Sequence, residues 1–229
     1  MKSPINRLLC KLIVNSIASL RTALLLACGL CMPMLAHAEL KDISRIYRQT
    51  PSLQQFEVCQ GGGCAQSHVL SISVAEWASV TQVFNNKAKN AADERQQIAQ
   101  AIGTLEKIIG AKNGTATDLA GTFDNSETPG QLDCNDEAIN TTTYMRLLKS
   151  NGLIPLHEVE DTRTRNFFFT GWPHTTAVIR DAKTAERYAV DSWFYNNGNA
   201  AAIVPFAAWK ANYVPSDSPI GKEKSAKIK

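Results

Sequence analysis

The chain has 229 residues, 20 % of them charged, and a formal net charge of +3. Four of its positive charges, Lys2, Arg7, Lys11 and Arg21, precede the first acidic residue, Glu39, so residues 39–229 by themselves carry −1. A near-neutral chain of this length can build one domain with a sizeable core, and it gives no reason to invoke a nucleic-acid or anionic-membrane partner.

The basic leader runs into the apolar stretch ALLLACGLCMPMLA and then AHA at 36–38. Basic, apolar and A-x-A in that order is the pattern of a secretory signal peptide, here residues 1–38. The run from Ala23 to Ala36 is shorter than the about 20 apolar residues a spanning helix needs, so no stable membrane span is expected. LLAC at 25–28 offers a weaker rival, a lipoprotein cleavage site. The expected mature product is periplasmic or secreted. It is a single domain over residues 39–215, followed by a flexible, lysine-rich tail over 216–229.

Cys10, Cys28 and Cys31 belong to the leader, which leaves Cys59, Cys64 and Cys134. FEVCQGGGCAQSHVLSIS reads as two short strands around a glycine-rich turn that sets Cys59 opposite Cys64. In an oxidising compartment that pair is expected to form a disulfide. A zinc site is the rival, and it lacks a second pair of ligands. Cys134 is then the odd thiol, a candidate reactive group in an exported chain.

Ser73 and Glu76 have capping-box spacing and predict a helix carrying Trp77, Val80 and Phe84 on one face. A second helix is predicted from about Ala91 to Ile109, with Ile98, Ile102, Leu105 and Ile109 as its apolar stripe and KNG at 112–114 as its stop. Residues 114–133 read as a long loop rich in Gly, Thr, Asp and Asn, a length more common in functional than in merely connecting segments. Asp133 is the expected cap of a third helix that begins at Cys134 and closes at Gly152. Downstream the period changes to two: PLHEVE, NFFFT, HTTAVIR and ERYAVDSWF read as strands. Helices first and strands second predict an α+β fold, with the cysteine-bearing helix packed on an antiparallel sheet.

Residues 39–229 contain three histidines, His68, His157 and His174. His174 opens one predicted strand and Asp191 lies on the next. A four-residue turn at 181–184 pairs His174 directly with Asp191, on one face of the sheet. A thiol needs a base to become a nucleophile. The helix start favours the thiolate, whereas Asp133, Asp136 and Glu137 oppose it. The expectation is that these acids cap the helix and turn into solvent, so that a protonated His174 outweighs them. His157 is expected to be structural, and His68 to be exposed or hydrogen-bonded near the disulfide hairpin.

LDCNDEAIN, PHTTAVI and YAVDSW, in that order, resemble the cysteine, histidine and aspartate segments of the transglutaminase-like superfamily, which includes bacterial periplasmic cysteine proteinases. The resemblance covers roughly residues 130–195. It implies a papain-like fold, with Cys134 as nucleophile, His174 as base and Asp191 as the residue orienting it. Gln131 resembles the glutamine such enzymes place near the oxyanion, and Trp172 and Trp193 flank the histidine and aspartate as candidate cleft walls. Some members use calcium, and Asp118, Asp124 and Asn125 are of suitable type without a recognised calcium-loop spacing. No metal or other cofactor is expected. The implied activity is a thiol hydrolase, a cysteine peptidase or amidase, acting on an amide or ester carbonyl of a peptide or protein. Hydrolysis of cell-wall peptides, transfer to an amine, and a non-catalytic binding role are the alternatives.

Overall fold

The structure, a computed structural model, describes residue 46 and residues 49–123, 128–166 and 173–227, without the side chains of residues 224, 225 and 227. The predicted leader therefore lies outside the described residues, as do Trp172, Asp124 and Asn125.

Strands β1 (Phe56–Gln60) and β2 (Gln66–Leu70) form an antiparallel hairpin. Helix α1 (Val74–Thr81) opens with the Ser73/Glu76 capping box. Helix α2 (Ala91–Asn113) is capped by Asn90 and stops at Gly114, which adopts the left-handed conformation. The stripe Ile98, Ile102, Leu105 and Ile109 is buried, as its spacing predicts. Gly103 on this helix is needed for close approach: a Cβ there would lie 2.5 Å from the Asn199 carbonyl oxygen.

Helix α3 (Cys134–Ser150) is buried along most of its length, polar residues Asn140, Thr141, Thr142 and Thr143 included. A helix buried on more than one side is covered on more than one side. It packs against β1, against α2 and against a four-stranded antiparallel sheet of order β3-β4-β5-β6. Those strands are His157–Arg165, His174–Asp181, Arg187–Asp191 and Ala202–Pro205. Asn140 ties α3 to β1 in both directions: the Cys59 N–H donates to Oδ1 at 2.6 Å, and Nδ2 donates to the Cys59 carbonyl at 2.9 Å. The core between helices and sheet is built from Ile98, Ile102, Leu105, Met145, Leu148, Ile179 and Val190. The short helix α4 (Phe206–Lys210) and helix α5 (Pro219–Lys227) follow. The architecture is α+β with antiparallel pairing, and no helix among the described residues is long and apolar enough to cross a membrane.

Three details differ from the sequence reading. The turn between β4 and β5 is one residue later than expected, because the Asp181 side chain accepts the N–H groups of Lys183 and Thr184 and Ala185 adopts φ 60°. Asp181 thus bonds to Glu186, and the ladder pairs Val178 with Ala189 and Ala177 with Val190. The shift moves Asp191 two positions from the place opposite His174. Two is the pleat repeat, so both residues still share a face, as diagonal neighbours. The chain leaves the sheet at Asp191, and Ser192 to Phe194 form a turn rather than strand. The predicted strand NFFFT lies, beyond Asn166, outside the described residues. Finally, residues expected as a solvated tail include α5, whose Ile220 packs against the cluster around Trp193 and Trp209.

Candidate active site

Cys59 and Cys64 are joined in a disulfide. Cys59 pairs in the ladder with Ser67, so the bond runs from a strand into the turn rather than between opposed residues. That turn holds Gly61, Gly62, Gly63 and Cys64 all at positive φ, which aims successive N–H groups to one side. Asp136 accepts from Gly62 and Cys64, each at 2.8 Å, and Asp133 accepts from Gly63 at 2.8 Å. Asp133 also caps α3 through Asn135 and Asp136 N–H groups, both at 2.9 Å. The acids at the helix start therefore do not face solvent. Asp133 and Asp136 clamp the disulfide turn onto the N-terminus of α3, and Asp136 is fully buried. Burial and the neighbouring Asp133 push the Asp136 carboxyl up to about 6.

Cys134, the first residue of α3, is buried and is the free cysteine among the described residues. Its sulfur lies in an apolar cluster with Ala189, Trp193, Phe194 and Trp209. Burial pushes the thiol up to about 12, the charges of Asp133 and Asp191 add to that, and the backbone N–H groups of Thr175 and of Cys134 itself oppose it. The resting thiol is therefore protonated. The expectation that the neighbouring acids turn into solvent is not met, and the burial of the thiol itself is the largest cause of its raised value.

Thr175, whose N–H faces the sulfur, follows His174 on β4. The His174 ring is 4.6 Å from Trp193, 5.5 Å from Phe194 and 5.7 Å from Trp209, the same rings that surround Cys134. His174 Nε2 lies 2.7 Å from Asp191 Oδ2. A carboxylate oxygen only accepts, so Nε2 carries the proton. Nδ1 is buried and has no hydrogen-bond partner among the described residues. The structure thus brings Cys134, His174 and Asp191 to one place, with the imidazole held at one nitrogen and open at the other. Such a ring can take a proton at Nδ1 while Asp191 stabilises the resulting cation.

Gln131 is buried and its amide is engaged elsewhere: Oε1 accepts from Leu119 at 2.9 Å and from the Thr122 hydroxyl at 3.1 Å, and Nε2 donates to the Thr117 carbonyl at 3.0 Å. It shapes the long loop before α3. Trp193 donates its indole N–H to the Thr122 carbonyl at 2.8 Å and lies against His174, so it joins that loop to the imidazole. Asp118 accepts the Leu132 N–H at 2.7 Å. Among the described residues no group of three or more His, Cys, Asp and Glu is arranged to hold a metal ion. His157 is buried between Glu94, 2.9 Å away, and Arg95, 3.2 Å away. His68 lies opposite Val58 in the disulfide hairpin.

Three features escape the sequence reading. Trp209 donates its indole N–H to Asp191 Oδ2 at 2.7 Å, from an element with no periodicity to reveal it. Arg165 lies directly opposite His174 in the β3–β4 register, which no turn signal foretells. The third is a buried acid group. The Ser192 hydroxyl donates to Glu137, and Asp118 hydrogen-bonds Glu137. Burial pushes Glu106 up to about 8, Asp118 up to about 6 and Glu137 well above the ordinary range, with mutual repulsion adding to the shift of Glu137.

A cavity of about 510 Å³ opens beside His174, walled by Phe123, Trp193, Val214 and Ile220 and bordered by Arg165. Comparison with family models, with characterised proteins and with solved structures finds no match in any of the three.

Proposed function

We propose that this chain is an exported thiol hydrolase of papain-like, transglutaminase-like architecture, with Cys134 as nucleophile, His174 as general base and acid, and Asp191 orienting the ring. The observation that carries the reading is the imidazole of His174. One nitrogen is fixed 2.7 Å from a buried carboxylate, and the other is buried without a partner among the described residues, on a ring packed against the Trp193, Phe194 and Trp209 rings that cluster with the lone thiol. A histidine with a merely structural role, such as His157, has both nitrogens engaged. The disulfide and the leader sequence support export, because disulfides persist in oxidising compartments.

The thiol at rest is neutral, so attack on an amide or ester carbonyl is concerted with proton transfer to His174 Nδ1. The imidazolium, stabilised by Asp191, then protonates the leaving group. Water, deprotonated by the same ring, hydrolyses the thioester. The N–H at the start of α3 is a donor to the developing oxyanion. A second reading, a binding protein that retains an inert thiol, draws on the burial of Cys134 and its raised pKa.

The test is a screen of blocked peptides and esters with mass spectrometry of the protein. An acyl adduct on Cys134, lost in Cys134→Ala, supports the enzyme. His174→Ala should lower turnover by about 10²–10⁴ with an unchanged circular dichroism spectrum. Undiminished turnover in Cys134→Ala overturns the reading. Absence of any adduct, with iodoacetamide reacting no faster than in the unfolded chain, favours the binding protein.

A further inference from the structure

We propose that the cavity beside His174 holds a free carboxylate on the leaving-group side of the substrate through Arg165, so that the enzyme releases the C-terminal residue of a peptide. The proposal rests on the reading of Cys134 as nucleophile.

Arg165 is His174's cross-strand partner, and it borders the cavity while being 93 % buried, with 7 % of its surface exposed. Directly opposed residues place their Cβ atoms about 4.5–5.5 Å apart on one face. The guanidinium is fixed rather than free. Nη1 donates to the carbonyls of Trp209 and Tyr213, and its central carbon sits 4.7 Å from the Trp209 ring. Those partners are neutral. Nε is buried without an acceptor among the described residues. Asp191 acts on the guanidinium through its charge, and its Oδ2 is taken by His174 and Trp209. A buried guanidinium with spare donors is suited to bind a carboxylate. Glu223, the acidic residue that also lines the cavity, is exposed to solvent.

The side of the substrate follows from the chemistry. The imidazolium gives its proton to the leaving amine, so the leaving group lies on the histidine's side of the thiol. His174 lines the cavity, and Cys134 is not among its described lining residues. In a C-terminal residue the carboxylate carbon is two bonds from the scissile nitrogen. That reach suits a cation on the neighbouring strand, and the residue's apolar side chain meets Phe123, Trp193 and Ile220. The sulfur–carbon bond forms and the carbon–nitrogen bond breaks. The thiol proton passes through Nδ1 to the amine, and a free amino acid departs. Water then cleaves the thioester, leaving the shortened peptide with a new carboxylate and restoring the thiol. No redox partner is needed.

The experiment has two arms. Binding of N-acetyl-phenylalanine and of its amide is measured by calorimetry on the Cys134→Ser protein, which cannot complete thiol turnover. The acid should bind at least about tenfold more tightly. The preference should vanish in Arg165→Gln and persist, reduced, in Arg165→Lys, which controls for lost support of the Trp209 carbonyl. In the second arm, wild-type protein is given benzyloxycarbonyl-Ala-Phe and its C-terminal amide. Release of phenylalanine from the acid, with at least tenfold slower cleavage of the amide, supports the proposal. Equal affinity for acid and amide, or equal cleavage of both, overturns the carboxylate site while leaving the thiol reading intact. Selective binding without cleavage of any peptide overturns the nucleophile and the proposed release.

Discussion

Trp209 donates its indole N–H to Asp191 Oδ2 across 2.7 Å, and the same oxygen lies 2.7 Å from His174 Nε2. Two donors from separate elements, α4 and β4, converge on one acceptor. The geometry fixes the carboxylate, and through it the tautomer and tilt of the imidazole. Trp209 is fully buried and also stacks on Phe206, so the arrangement is held by packing as well as by hydrogen bonds.

Trp209→Phe should keep most of that packing and remove the indole donor. Leaving a buried carboxylate one donor short costs about 1–3 kcal/mol. The expected result is a folded protein with a lower melting temperature and slower turnover. An acid limb of the pH–rate profile displaced from the wild-type position marks an effect on the His174–Asp191 pair rather than on packing alone. An unchanged profile and unchanged turnover would reduce Trp209 to a core residue.

Asp191→Asn should fold, because both donors use one oxygen and an amide oxygen can replace it. What is lost is the negative charge facing the imidazolium. The corresponding change in a serine-protease triad lowers turnover by about 10⁴. Here the geometry can be preserved and a thiol ionises more readily than a hydroxyl, so a loss of about 10² is expected. Turnover and a melting curve measured together separate a catalytic defect from collapse of the fold.

One free thiol should titrate in the oxidised chain from Glu39 onward under denaturing, non-reducing conditions, since Cys59 and Cys64 are joined. Closing so short a loop contributes about 2 kcal/mol by the chain-entropy model. Reduction should therefore lower the melting temperature by roughly 5 °C. It should also slow turnover, because Asp133 and Asp136 grip the disulfide turn and the start of α3 together. Thermal melts and rates with and without reductant test both; a count of three thiols would remove the bond.

Stability should fall as pH rises from about 4 towards 8. Glu106, Asp118 and Glu137 ionise above the ordinary carboxylate range in the folded protein, Asp118 at about 6 and Glu106 at about 8. The unfolded chain ionises them near 4. Between those limits the folded state holds more protons, so each rise in pH favours unfolding, and the dependence flattens once the folded acids have ionised. Glu106→Gln preserves an acceptor for the Gly198 N–H, which now donates to Glu106 at 2.9 Å. Its melting temperature should decline less between pH 5 and pH 8.5 than that of wild type. Parallel curves for the two proteins would show that the cluster does not titrate in this range.

Local signals determined much of this protein. Capping chemistry marked where α1 and α3 begin, at Ser73 and Asp133, because a side-chain oxygen satisfying helix N–H groups is a matter of three or four residues. Hydrophobic spacing marked the buried face of α2, and the two cysteines around a glycine turn marked the disulfide. Period-two alternation placed His174 and Asp191 on successive strands, and the two-residue pleat kept them on one face even though the turn slipped by a residue. Tertiary structure alone decided the rest. Nothing in VDSW or FAAWK tells that Trp209 reaches Asp191, and nothing in TRTRN sets Arg165 beside His174. Whether Asp136 and Glu137 face water or the interior also depended on distant chain, the disulfide turn for one and Ser192 for the other. Burial and long-range pairing are properties of the packed whole, and a charge's effect on the thiol follows from them rather than from its place in the sequence.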